Sequence, residues 1–198
     1  MSVSTRTLTL ADVAWPRAGV RSNLTLVVGA SLVTSLAARL EIPVPWSPVP
    51  ITGQTFAVLL SGAVLGTRRA FLAQLLYLAE GALGLPVFAG GGAGAATFIG
   101  PTAGYLIGFP LAAALTGWLA ERGWDRHFST MLIAMLLGSL PIFALGVALL
   151  ARFLPADRLL AAGLFPFLPG DLIKATLAAW AFPAAWRWAR SRGGAADA

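Results

Sequence analysis

LFPFLPGDLIKATLAAWAF, residues 164–182, is almost wholly apolar, yet it holds Asp171 and Lys174 three positions apart. A run this apolar is read as a helix in lipid, where every backbone N–H and C=O has to be satisfied inside the segment. Ionisable groups in such a helix cost about 2.5–3.5 kcal/mol each on insertion scales and usually face a bundle interior or a polar cavity. At i and i+3 the two share a helix face. Lys174 is also the one lysine in a chain with thirteen arginines. The pair has two readings. It is a mutually neutralising pair at the interface, or an N-cap after Pro169-Gly170 in the case of Asp171. Alternatively it is a ligand clamp, the carboxylate accepting N–H bonds and the ammonium donating to a carbonyl or carboxylate.

The rest of the chain supports the membrane reading. Of its 198 residues, 58% are hydrophobic and 11% charged, against roughly 25% charged in soluble domains. Apolar runs separated by short Gly, Pro and Arg clusters predict an all-α, polytopic integral membrane protein. Six transmembrane helices are expected, over about 23–40, 51–66, 69–83, 102–120, 128–153 and 169–187. A crossing takes about 20 residues. The second and third spans are therefore expected to be sheltered by neighbours or to extend into the flanking loops. The organisation expected is an N-terminal tail over 1–22, one six-helix membrane domain over 23–190 and a C-terminal tail over 191–198, with no internal repeat. LTLADVAWP, residues 8–16, reads as a short interfacial segment, and residues 1–23 lack the continuous apolar core of a cleaved signal peptide.

Arginine placement orients the bundle. With both termini cytoplasmic, Arg6, Arg17, Arg21, Arg68, Arg69, Arg122, Arg126, Arg187, Arg190 and Arg192 lie inside, and Arg39, Arg152 and Arg158 outside, ten against three. The net charge of +6 does not point to nucleic acid, because the arginines flank apolar segments and form no patch with aromatics. The chain has no cysteine, and its one histidine, His127, sits in a charged loop. Disulfides, thiolate or multi-His metal sites, Cys nucleophiles and His-based triads are excluded.

In this topology two unusual loops and the Asp171 end of the sixth span fall on the outer side. Residues 41–55, EIPVPWSPVPITGQT, carry four prolines and read as a stiff extended segment. Residues 83–105, LGLPVFAGGGAGAATFIGPTAGY, hold no charge and are too apolar for a solvated loop. Non-helical backbone at membrane depth is tolerated where it is buried in protein or lines a cavity. Gln54, where the proline-rich loop enters the second span, is a helix-end cap or a pocket amide that donates and accepts. Trp46, Tyr77, Phe88 and Tyr105 suit an interfacial aromatic belt, or together wall a pocket for a partly apolar small molecule. Glu80 reads as solvated, paired with Arg39, or part of a proton path. GGGAG, residues 90–94, is not a phosphate loop, because no strand precedes it and no Lys-Ser/Thr pair follows. Ala30, Thr34 and Ala38 make a small-residue stripe for internal packing or for docking a second membrane protein.

PVPITGQTFAVLLSGAVLGTRRAFLAQLLYLAEGALGLPVFAGGGAGAATFIGPTAGYLIGF, residues 48–109, and PGDLIKA, residues 169–175, resemble the BioY family. These are the biotin-specific S-components of energy-coupling factor (ECF) transporters. The resemblance spans roughly residues 24–190. Ala70 departs from a frequent glycine and Glu80 from a frequent apolar residue.

The resemblance implies a six-helix, multi-pass subunit of the bacterial cell membrane that binds biotin near the outer face and mediates its uptake. It would have no catalytic residue, metal or cofactor of its own; with no ATPase motif in the chain, ATP hydrolysis falls to ABC-type ATPase subunits, joined through a membrane coupling subunit. Asp171 and Lys174 then resemble the family's polar ligands for biotin, with Gln54, Phe88 and Tyr105 as pocket residues and Trp46 and Tyr77 as weaker matches. The Ala30, Thr34 and Ala38 stripe resembles the one on which S-components dock. The alternatives are an S-component for another vitamin and a stand-alone proton-coupled carrier. An intramembrane lipid enzyme is disfavoured, since no second acid partners Asp171 in a span.

Overall fold

The computed structural model describes residues 8–15 and 19–193. Arg6, Arg17 and the last five residues lie outside them, as do the side chains of Arg190 and Arg192. The chain begins with α1 (Leu10–Ala14), a single turn closed by a capping box. The Thr9 hydroxyl accepts from the Asp12 N–H, and the Asp12 carboxylate accepts from the Thr9 N–H. Reciprocal satisfaction of this kind makes so short a helix tenable.

The long helices follow the apolar runs. α2 (Val20–Ala37) is succeeded by the proline-rich loop, whose ends pair as a two-residue antiparallel ladder of β1 (Glu41–Ile42) with β2 (Ile51–Thr52), in register Glu41 to Thr52. Extended backbone was expected there, and the ladder is what closes it. The Ser47 hydroxyl donates to the Ala162 carbonyl at 2.8 Å, tying the loop to a segment far along the chain.

α3 (Gln54–Leu65) and α4 (Thr67–Ala82) are separated by Gly66 alone, at φ +79°. A side chain is strained in that conformation, so glycine makes the one-residue turn possible. The glycine-rich segment forms two 3₁₀ turns, Ala89–Gly91 and Ala95–Ile99, and is pinned to α4 by Gly94 N–H to Gly81 C=O at 2.7 Å.

α5 (Ala103–Ala120) is the central, most buried helix, and α6 (Phe128–Leu150) packs along it. At Gly108 an added Cβ would lie 2.7 Å from the Ile142 backbone, so the two helices meet at a small-residue seam. α7 (Ala156–Gly163) precedes α8 (Leu168–Gly193).

Among the described residues, four segments are long and apolar enough to cross a membrane: Val20–Ala37, Ala103–Ala120, Phe128–Leu150 and Ala156–Ala189. The expected second and third spans correspond to α3, of 12 residues, and α4, of 16. At 1.5 Å per residue α3 is about 18 Å long, short of a bilayer core of about 30 Å. Most of its side chains are buried against α4, α5 and α6. α7 was not anticipated as a helix.

Candidate functional site

A cavity of about 170 Å³ opens at the end of the bundle where the proline-rich and glycine-rich loops meet α5 and α8. Asp171 and Lys174 both line it, one turn apart on α8. Pro169 is tolerated because it lies in the first turn, where its missing N–H costs nothing, and Asp171 there faces the positive end of the helix dipole. Asp171 is 6% exposed. It lies inside the helix, its N–H donating to the Phe167 carbonyl at 2.9 Å, and so is not the N-cap. Ser139 of α6 faces its carboxylate but donates its own hydrogen to Leu136 C=O at 2.9 Å.

Lys174 does not bond Asp171. Its ammonium donates to the Thr52 carbonyl at 2.8 Å and to the Thr55 hydroxyl at 2.9 Å. An ammonium has three donors, so one remains for the cavity. The pair thus bridges α8 to the start of α3 while the carboxylate stays open to the cavity.

Gln54, in the first turn of α3, lines the same cavity and is buried. Its Nε2 donates to the Tyr77 hydroxyl, which donates to Val87 C=O at 3.0 Å. Tyr77 is wholly buried and does not line the cavity; it stands behind Gln54, edge-on to Phe88 at 5.5 Å and stacked on Phe109 at 6.3 Å. Phe88 lines the cavity and is seated against Gly81, where its ring leaves no room for a Cβ. Tyr105 also lines it, its hydroxyl donating to Gly163 C=O at 2.6 Å. Trp46 is 68% exposed and lies outside the lining.

Several lining residues escaped the reading of the sequence: Glu41, Thr52, Thr55, Phe109, Phe143 and Phe167. Thr52 and Thr55 flank Gln54 in ITGQT, and Phe109 is one turn from Tyr105, so their neighbours were a usable signal. Phe143 had none.

Glu80 does not line the cavity and does not pair with Arg39. It accepts from the Ser31 hydroxyl at 2.5 Å, while Arg39 donates to the Pro86 carbonyl. The small-residue stripe turns inward. Thr34 and Ala38 are each 0% exposed, and Gln74 of α4 donates to the Thr34 and Ser61 hydroxyls at 3.2 and 3.1 Å. Thr34 is thus packing surface between α2 and α4, while Ala30 is half-buried.

A chiefly apolar chamber lined by two carboxylates, Glu41 and Asp171, with an ammonium and an amide beside them, inside an apolar helical bundle, defines a membrane protein built to hold a partly polar small molecule. Comparison with known proteins narrows the class. The model of the BioY family matches residues 7–191, and the chain belongs to that family.

Among its relatives is the probable biotin transporter BioY of Pyrococcus horikoshii, 39% identical over 156 residues, which cover 79% of this chain and 91% of that one. The biotin transporter BioY of Rhizobium etli is 39% identical over 158 residues, 76% of this chain and 84% of that one. The solved structure of the S-component for biotin from an ECF-type ABC transporter superposes with a TM-score of 0.73 at 28% identity, covering 84% of this chain and 92% of that one.

Proposed function

We propose that this protein binds biotin in the cavity between α3, α5 and α8 and mediates its uptake as the substrate-specific subunit of an ECF-type transporter. The observation that carries the reading is the open Asp171 carboxylate beside an anchored Lys174 in a BioY-family chain. Biotin offers a ureido group with two N–H donors and a carbonyl, an apolar bicycle and a carboxylate tail. Asp171 accepts ureido N–H bonds, and the remaining Lys174 donor meets a ligand oxygen. Phe88, Tyr105, Phe143 and Phe167 cover the apolar part, and Gln54, held by Tyr77, supplies a further polar contact.

The chain crosses the cell membrane six times with both termini cytoplasmic, α3 and α4 serving as short, protein-sheltered crossings. The cavity then faces outward. The chain supplies no ATPase; ABC-type ATPases and a membrane coupling subunit supply energy and coupling. For the buried Thr34 to meet that subunit, α2 swings off α4 and the Gln74 to Thr34 bond breaks.

Equilibrium binding of labelled biotin to the detergent-purified protein tests the proposal. Wild type binds, and Asp171→Asn and Lys174→Met each lose affinity by roughly tenfold to a hundredfold, the range for a charge-assisted hydrogen bond. Both variants remain monodisperse. Absence of biotin binding by wild type, or unchanged binding by both variants, contradicts it.

A further inference from the structure

A second concavity, of about 720 Å³, lies between α2 and α4 at the end of the bundle away from the cavity. Its walls are two helix ridges. Val20, Leu24 and Val28 stand on α2, and Leu72 and Leu76 on α4, with Arg68 one turn before Leu72 at the mouth. From residue 68 to 76 the slot runs about 12 Å along the helix axis. Its apolar walls are open: Val20, Leu24 and Leu72 are 77%, 59% and 53% exposed.

The two arginines at its mouth are not equivalent. Arg69 donates to the Asp12 carboxylate at 2.7 Å and to the Asn23 side chain at 2.8 Å, so its charge fastens α1 and α2 to α4. Arg68 is exposed and, among the described residues, has no hydrogen-bond or ion-pair partner. The acids nearby are engaged. Asp12 serves Arg69 and Thr9, and Glu121 accepts the Thr67 N–H at 2.9 Å, occupying the first turn of α4. An anion at the mouth therefore meets Arg68, a guanidinium with no partner among the described residues.

We infer that this slot binds an anionic phospholipid, its phosphate on Arg68 and one acyl chain between the α2 and α4 ridges. A guanidinium fork matches phosphate oxygens bidentately, and basic pockets between membrane helices are suited to lipid headgroups. The lipid would strap α2 to α4 at the same end as the Arg69 fastening. It also accounts for an exposed arginine in line with Leu72 and Leu76.

The test is native mass spectrometry of the full-length protein released from micelles containing equal phosphatidylglycerol and phosphatidylcholine. Wild type retains phosphatidylglycerol about tenfold over phosphatidylcholine, as expected for one charge-assisted bidentate contact. Arg68→Gln abolishes the preference. Val28→Trp, which fills the slot, lowers retention of both lipids. Arg122→Gln, at the same end but outside the slot, leaves the preference intact. Glycerol 3-phosphate, a headgroup without chains, does not displace the lipid.

Equal retention of the two lipids, a preference that survives Arg68→Gln, or equal loss in Arg68→Gln and Arg122→Gln overturns the site. So does cross-linking of Leu72→Cys in native membranes to a protein in place of a lipid-borne label. Biotin binding by Arg68→Gln stays at the wild-type level, so failure here is distinct from failure of the cavity.

Discussion

The two ends of the bundle use similar polar residues for different purposes. At the arginine-rich end many of the polar side chains bond one another. Trp186 Nε1 donates to the buried Asp125 carboxylate at 2.5 Å, and Arg126 lies over the Trp186 ring at 4.6 Å. Arg122 lies over Trp118 at 3.4 Å and donates to its carbonyl at 3.0 Å. Asp12, Arg69 and Asn23 close a third set. At the cavity end, Asp171, Lys174 and Gln54 are placed just as firmly by their backbones and neighbours, but each keeps a polar atom turned to open space. Buried polar groups in folded proteins find partners. A buried polar group that instead faces a cavity is one whose partner arrives from outside.

The contrast breaks most sharply at Asp171 and Lys174. Their substitution should cost biotin affinity tenfold to a hundredfold with little loss of folded protein. The Trp186→Phe variant should do the reverse. It leaves the Asp125 carboxylate without its indole donor, which costs about 1–3 kcal/mol, read as a lower unfolding midpoint in detergent with biotin affinity unchanged. If Trp186→Phe instead weakened biotin binding as much as Asp171→Asn, the two ends would be coupled and the division of labour would fail.

A smaller effect sharpens the picture. Thr55→Val keeps side-chain volume but removes one of the two acceptors that hold Lys174. Affinity should fall about threefold to tenfold, roughly the value of one hydrogen bond, while Thr52 C=O still holds the ammonium. An unchanged affinity would mean that Thr52 alone positions Lys174.

The smallest effect concerns pH. Burial raises the Asp12 carboxyl, but hydrogen bonds from Arg69 and Thr9, with the nearby guanidinium charge, outweigh it and hold the group below the usual carboxylate range. A depressed carboxylate contributes stability that is present above its unfolded pKa of about 3.9 and is lost as pH falls through the folded value. The partly exposed pair is worth under about 1 kcal/mol after solvent screening. Wild type should therefore exceed Asp12→Asn in stability by under about 1 kcal/mol above about pH 4, and this small difference should close as pH falls further. A larger difference near neutral pH would contradict this account.

The long spans were legible because lipid imposes one requirement on every residue of a crossing, and apolar runs register it directly. α2, α5 and α6 lie where the runs place them, within three residues at each end, and α8 starts within one residue but runs six farther than expected. Of the polar cavity residues, Asp171, Lys174 and Gln54 announced themselves by being ionisable or amide groups in apolar surroundings. Phe143 did not, since an aromatic on a wholly apolar helix gives no sign of which face turns inward. α7 was missed because eight residues are too few to stand out from a loop. The inward turn of Thr34 and Ala38 was equally hidden. A small-residue stripe signals close approach, and only the position of Gln74 on α4 says which neighbour approaches.

By itself, then, the chain's order of residues determined the solvent, the helical class and the chemistry available, because hydropathy, arginine distribution and rare charges are local properties. The tertiary structure decided which of those groups meet. Lys174 reaches Thr52 and Thr55 across more than a hundred residues, and Tyr105 reaches Gly163 across 58. Such meetings depend on helix rotation and on tight seams such as Gly108 against Ile142. Packing of that kind is a property of pairs of helices, and no single helix encodes it.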